Sequence, residues 1–161
     1  MQSPDQVSLR ITPPVIRRAT ERDADAVARL ACHLGYPADT DTMRNRIRTV
    51  AASSGDLLLV AADSSDTAIG WLHAHAAQLI ESGFRVEILG LVVSPVARRA
   101  GIGRALVAES ERWAAGIGAE AVVVRSNVQR EESHAFYPAL GYHVTKTQLV
   151  YRKPLSGGPP S

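Results

Sequence analysis

The chain has 161 residues, 45% of them apolar and 21% charged, the balance of a single globular domain with its own core. Lys and Arg number 18 against 16 Asp and Glu, a formal net charge of +2 without a long run of like charge, so a nucleic-acid partner is not expected. One cysteine, Cys32, excludes an internal disulfide, no Cys or His pair has zinc-finger spacing, and no apolar run approaches the ~20 residues of a membrane helix. No metal and no membrane partner are expected. The N-terminal residues lack the basic and apolar segments of a leader, so a cytoplasmic location is expected.

Residues 1–13 are polar and run into Pro13-Pro14, and residues 154–161 read Pro-Leu-Ser-Gly-Gly-Pro-Pro-Ser. Both ends are expected to be flexible, which leaves one domain over 14–153, without an internal repeat or linker. Residues 15–19 predict a short strand. Thr20 then opens a helix, with Asp23 in a position resembling a capping box. Val27, Leu30, Ala31 and Leu34 recur at helical spacing, Cys32 is assigned to the same apolar side, and Gly35-Tyr36-Pro37 stops the helix. A second helix is expected over 39–53, with Met43, Ile47, Val50 and Ala51 on one side.

The period then changes. Residues 57–62 form an apolar strand, 63–66 a turn, and 68–76 the returning strand of a hairpin. Glu81-Ser82-Gly83 leads to a third strand over 85–93, ended by Pro95. A helix follows from Gly101 to about Ala115, with Ile102, Leu106, Trp113 and Ile117 on one face. Residues 121–125 read as a buried strand, 130–140 as a short helix, and 142–152 as one or two last strands. Hairpins mixed with one βαβ crossover imply a mixed sheet with helices on both faces.

The strand ending at Val93 feeds a turn carrying Gly101 and Gly103, where a helix opens. The first N–H groups of a helix lack intrahelical acceptors and carry partial positive charge. Glycine lets a phosphate approach that backbone, and Arg98, Arg99 and Arg104 add charge around it. No Lys-Ser or Lys-Thr follows, so this is not a P-loop, and a third glycine is missing for a dinucleotide fingerprint. A tight turn with solvated arginines is the plainer alternative.

Arg98-x-x-Gly101-x-Gly103 resembles the (Gln/Arg)-x-x-Gly-x-(Gly/Ala) motif of the GCN5-related N-acetyltransferase superfamily, and Leu91-Val92-Val93-Ser94-Pro95 resembles the strand that precedes it there. Downstream, Ser133-His134-Ala135-Phe136-Tyr137-Pro138-Ala139-Leu140-Gly141-Tyr142 resembles the superfamily's Ala-x-x-Phe-Tyr-x-x-x-Gly-Phe segment. Ser133 replaces alanine, and Pro138 stands where glutamate is common. The resemblance covers about 15–153. It implies an α+β fold of three layers, α/β/α, around a mixed, mostly antiparallel sheet of six to seven strands, splayed between strands 4 and 5. It implies acetyl-CoA as co-substrate in that gap. The pyrophosphate would lie on the backbone of Arg99, Ala100, Gly101, Ile102, Gly103 and Arg104, with Arg98 also in the cofactor site. The pantetheine arm would pair with Leu91, Val92 and Val93, and Asn127 would bond its amides. Gly90 would mark the bulge that opens the gap.

The implied reaction is direct attack of a neutral primary amine on the thioester through a tetrahedral intermediate. Tyr137 matches the superfamily's proton donor and borders the cofactor. Glu87, eleven residues before Arg98, matches the base of histone-acetylating members, acting directly or through water. Glu81, His73, His75 and His134 are weaker alternatives. No covalent nucleophile is expected. The acceptor is expected to be a small-molecule amine, with aminoglycosides, polyamines, amino acids and protein amines all open. Many members are dimers, which leaves a homodimer open. The rival reading is a catalytically silent acyl-CoA-binding or regulatory module, and a third is a nucleotide-phosphate binder.

Overall fold

Five strands form: β1 (Val15–Arg18), β2 (Asp56–Ala62), β3 (Ala68–Leu79), β4 (Gly83–Val93) and β5 (Ala121–Val124). Four α-helices accompany them: α1 (Ala24–Cys32), α2 (Thr40–Ala52), α3 (Ile102–Gly116) and α4 (Glu131–Ala139). The computed structural model describes residues 12–127 and 129–155. They divide between Arg125 and Ser126 into two compact units, the first holding the sheet and α1–α3, the second α4. No helix among the described residues is long and apolar enough to cross a membrane.

The sheet runs in the order β1-β2-β3-β4-β5. The first four strands are antiparallel, and β5 lies parallel to β4. The sheet is therefore mixed, as the hairpin and crossover pattern predicts, but it has five strands among the described residues rather than six or seven. The shortfall lies after Gly141. Residues 142–155 form no strand, and Val144, Leu149, Val150 and Tyr151 are exposed. Alternating β-branched residues favour a strand only where cross-strand partners cover them, and this segment pairs with none.

The alternation of side chains along each strand distributes the helices of the first unit. Val60 and its cross-strand neighbour Trp71 face a cluster made with Ala24, Val27 and Ala31 of α1 and Met43 and Ile47 of α2. Gly70, one residue over, points to the opposite face. A Cβ there would lie 3.3 Å from Ile102 and 3.5 Å from Leu106, so the missing side chain lets α3 settle on the sheet. The buried side of α3 is Ile102, Leu106, Val107, Ser110 and Ala114; Trp113 is only half-buried and Ile117 is exposed. Buried Ser110 donates its hydroxyl to the Val107 carbonyl at 2.8 Å.

Entry to α1 is fixed by charge. Asp23 is buried, accepts the Thr20 N–H at 2.8 Å, and accepts both terminal nitrogens of Arg17 at 2.9 Å each. Burial pushes its carboxyl up, but the Arg17 and Thr20 hydrogen bonds outweigh this and hold it below the usual carboxylate range. Asp39 caps α2 by accepting the Thr42 N–H at 2.8 Å. Cys32 corrects the sequence reading. It is the last residue of α1 and is exposed, because five residues after Val27 a helix has turned well away from the Val27 face.

Candidate active site

The site of interest begins where β4 changes its pairing. Against β3, His73 pairs with Gly90 but Ala74 pairs with Ile88, so Leu89 is an extra residue in a β-bulge, more than half exposed. Against β5, pairing runs from Arg85 with Ala121 to Ile88 with Val124 and ends there. Leu89–Val93 thus continue along β3 with no β5 partner, and Leu91, Val92 and Val93 lie in this segment. The bulge expected at Gly90 falls one residue earlier. Gly90 itself is required by a neighbour, since a Cβ would meet Trp71 Cζ3 at 2.8 Å and Cη2 at 2.9 Å.

The end of β4 is fastened by the Ser94 N–H, which donates to the Ile69 carbonyl at 2.8 Å. The chain then passes Arg98, Arg99 and Ala100, all exposed. Arg99 has φ 66° and Gly101 φ 75°, both in the left-handed region. Gly101 is the N-cap of α3 and brings no side chain to the helix end. The first intrahelical bond is Ala105 N–H to Gly101 carbonyl at 3.0 Å, so Ile102, Gly103 and Arg104 present N–H groups without an intrahelical acceptor. Among the described residues, its chain neighbours aside, nothing lies within 4 Å of where a Gly101 Cβ would sit. An open, positively polarised helix end with Arg98, Arg99 and Arg104 around it suits a diphosphate.

One face of the sheet beside the bulge is polar. Asp56, His75 and Glu87 stand in one row across β2, β3 and β4 by register. Asp56 Oδ1 is 2.9 Å from His73 Nε2 and 3.1 Å from His75 Nδ1. Burial pushes the Asp56 carboxyl up, but hydrogen bonds from Ser53, His73 and His75 and the charge of His75 leave it below the usual range. Glu87 is held at both oxygens, Oε1 by Arg125 Nε at 3.0 Å and Oε2 by Arg85 Nη2 at 3.4 Å. Asp56 and Arg125 have no place among the residues singled out from the sequence. Asp56 lies between the helix expected over 39–53 and the strand expected over 57–62, and the strand register brings it to the histidines. Among the described residues no group of three or more His, Cys, Asp or Glu is arranged to hold a metal ion.

The second unit carries the other predicted groups. Asn127 Oδ1 accepts the Gln129 N–H at 2.9 Å, which leaves its NH₂ as the end with donors to offer. Tyr137 lies in α4, edge-on to Phe136 at 5.0 Å and to Tyr142 at 5.7 Å between ring centroids. Burial pushes its phenol up against a smaller opposing pull from Arg130, so the group is protonated at neutral pH. Pro138 lies one residue before the end of α4, has no N–H to donate to the carbonyl four residues back, and is followed by only one more helical residue. Ser133 and His134 are in the same helix, and His134 Nε2 lies 3.3 Å from the Asn127 carbonyl oxygen.

The chain is similar to known proteins over most of its length. The model of the Acetyltransferase (GNAT) family matches residues 22–142. Aminoglycoside N(6')-acetyltransferase type 1 of Stenotrophomonas maltophilia is 29% identical over 146 residues, 88% of this chain and 94% of that protein. Two solved structures share the fold at 20% identity. A transcriptional regulator from Bacillus halodurans C-125 has a TM-score of 0.80, covering 87% of this chain and 99% of that one. An aminoglycoside N-acetyltransferase in complex with CoA has a TM-score of 0.78, covering 88% and 95%. Because the family match over residues 22–142 takes in both sequence motifs and more than half of the chain, the chain belongs to the acetyltransferase (GNAT) family and is an acetyl-CoA-dependent N-acetyltransferase.

Proposed function

We propose that the chain, acting as one catalytic domain over 14–153, acetylates a primary amine of a small, positively charged molecule. The observation behind this is the course of β4. It leaves β5 after Ile88, bulges at Leu89, and runs on to an uncapped helix end. That leaves backbone groups of Leu91–Val93 on the β5 side for an extended amide chain, and the N–H groups of Ile102, Gly103 and Arg104 for a diphosphate. Acetyl-CoA has both parts and supplies the activated thioester.

The residues divide the remaining work. The turn from Arg98 to Arg104 binds the diphosphate through its backbone, with the guanidiniums adding charge. Asn127 donates to an amide carbonyl of the pantetheine arm. A backbone N–H near Val92 or Val93 stabilises the thioester oxygen as it gains charge. Tyr137, a phenol held protonated, gives a proton to the departing sulfur. Two groups on the β3–β4 face compete for the proton that the amine loses, Glu87 and the histidines of β3. The aminoglycoside N(6')-acetyltransferase relative points to amino sugars, which are cationic amines, as the first acceptors to try.

The test is thiol release from acetyl-CoA with kanamycin, spermidine and lysine as separate acceptors. Release with at least one amine, and strongest with kanamycin, is expected. Thermal stabilisation by acetyl-CoA without thiol release on any of them would instead support a silent acyl-CoA-binding module.

A further inference from the structure

The sheet face beside the bulge holds a second chemical feature besides Glu87. We propose that His73 is the group that takes the proton from the acceptor amine, with Asp56 as its positioning residue. This rests on the acetyltransferase reading above and names the base for it.

Three observations support the choice. First, an ionised carboxylate only accepts hydrogen bonds, so both imidazoles must donate to Asp56 Oδ1. That fixes the tautomers. His73 donates from Nε2 and His75 from Nδ1, so a neutral His73 keeps its lone pair on Nδ1. Second, the location is right. His73 stands opposite Gly90, next to the bulged Leu89 and at the start of the β4 segment that lacks a β5 partner. His75 stands further back, opposite Glu87. The His73 side chain is partly open at 24% exposure while Asp56 is 14% exposed, so an amine can reach the imidazole more readily than the carboxylate. Third, the competing base is occupied. Glu87 has a guanidinium at each oxygen, and a proton taken there would displace an ion pair. The charged and titratable groups that the registers place on this face are Asp56 from β2, His73 and His75 from β3, Arg85 and Glu87 from β4, and Arg125 just after β5, with Arg17 of β1 farther along it, opposite Val60 and paired with Asp23.

The step balances. The amine nitrogen forms a bond to the thioester carbon, and the carbon–sulfur bond breaks. The nitrogen gives up one proton to His73 Nδ1, and the imidazolium is held against Asp56. The sulfur takes one proton, from Tyr137 in the reading above, and the two side chains return to their starting states through solvent.

The experiment compares wild type with His73→Ala, Asp56→Asn and His73→Asn, using the fastest acceptor among kanamycin, spermidine and lysine. Each is assayed for thiol release at saturating amine and for acetyl-CoA affinity by calorimetry. His73→Ala should lower kcat by about 100-fold or more, with acetyl-CoA affinity unchanged and turnover partly restored by added imidazole. Asp56→Asn should lower kcat by at least about tenfold, since the carboxamide no longer enforces the tautomer. Imidazole should not rescue it, because His73 still fills the site. His73→Asn keeps a polar side chain of similar reach and should be as slow as His73→Ala.

A kcat within threefold of wild type in His73→Ala would overturn the proposal while leaving the acetyltransferase reading intact. A second measurement does not depend on turnover. Kanamycin added to the wild-type protein should move the imidazole nitrogen signals assigned by their loss in His73→Asn. Unmoved His73 signals with all three amines would overturn the proposal, and if acetyl-CoA binds but no thiol is released the acetyltransferase reading fails separately.

Discussion

Gly90→Ala tests how the bulge is built. The added Cβ would lie 2.8 Å from Cζ3 and 2.9 Å from Cη2 of the Trp71 ring. Carbon atoms in contact normally sit ~3.5–4.0 Å apart, so the ring or the strand must retreat by roughly 0.6–1.2 Å. Trp71 packs against the α1–α2 cluster, so the ring cannot simply swing into water. Overpacking of this kind costs about 1–3 kcal/mol. Taking ~2 kcal/mol, a domain of this size loses roughly 4–8 °C of Tm. The clash involves only the far edge of the indole, which phenylalanine lacks. In a Trp71→Phe background the same glycine substitution should therefore cost less than about 0.5 kcal/mol, a level at which independent surface changes usually lie. Denaturant and thermal unfolding of the four proteins give the coupling directly. Equal cost of Gly90→Ala in both backgrounds would refute the claim that Trp71 is what requires glycine at 90.

Gly101→Ala should weaken acetyl-CoA binding by tenfold or so while costing the free protein only ~1–2 kcal/mol, the penalty of a left-handed backbone; calorimetry beside thermal unfolding separates the two, and unaltered affinity would contradict a diphosphate at this turn. Tyr137→Phe should lower kcat by about 100-fold with little change in acetyl-CoA affinity, and unchanged turnover would remove the phenol from the mechanism. Asp23→Ala should destabilise by about 3 kcal/mol, because it leaves Arg17 without its buried bidentate partner; unfolding in urea checks this. The carboxyl of Asp23 is held below its usual range in the folded protein, so its contribution is complete above the unfolded value near ~3.9 and is lost as pH falls through the folded value. Acid unfolding of Asp23→Asn should accordingly show a shallower loss of stability below about pH 4 than wild type.

Most of the sheet and helices can be read from the chain because local chemistry repeats the tertiary demand. Leu57, Leu59 and Ala61 alternate with Leu58, Val60 and Ala62, and helices cover both faces of β2, so the segment reads as a nearly continuous apolar run. Thr20 and Asp23 announce the entry to α1, although the structure gives Asp23 a second role, as the partner of Arg17. Where the reading departs, distance along the chain explains it. The face of α3 turns on contacts with β3, where Gly70 draws in Ile102 and Leu106 and thereby rotates Ser110 inward and Trp113 partly outward. Residues 142–152 have the composition of a strand, but composition cannot supply the neighbour that a strand needs.

The same contrast separates the two halves of the site. The part proposed for acetyl-CoA is nearly continuous in sequence, from Leu89 to Arg104, and its demands fall on the backbone. A left-handed residue before a helix favours glycine, and glycine is legible at position 101 whatever surrounds it. The polar face is different in kind. Asp56, His73 and Glu87 lie on three strands, and nothing local distinguishes Asp56 from any turn aspartate. Its role follows from two registers, Asp56 with His75 and His73 with Gly90, and a shift of one residue in either would send these side chains to opposite faces. The bulge at Leu89 is such a shift made within β4. It leaves Glu87 on the face of His75 and Gly90 on the face of His73, an odd spacing that an unbroken strand could not give. The bulge therefore has two consequences. It carries β4 beyond the reach of β5, and it keeps the face bearing Asp56 and the histidines continuous up to the point where β4 loses its partner.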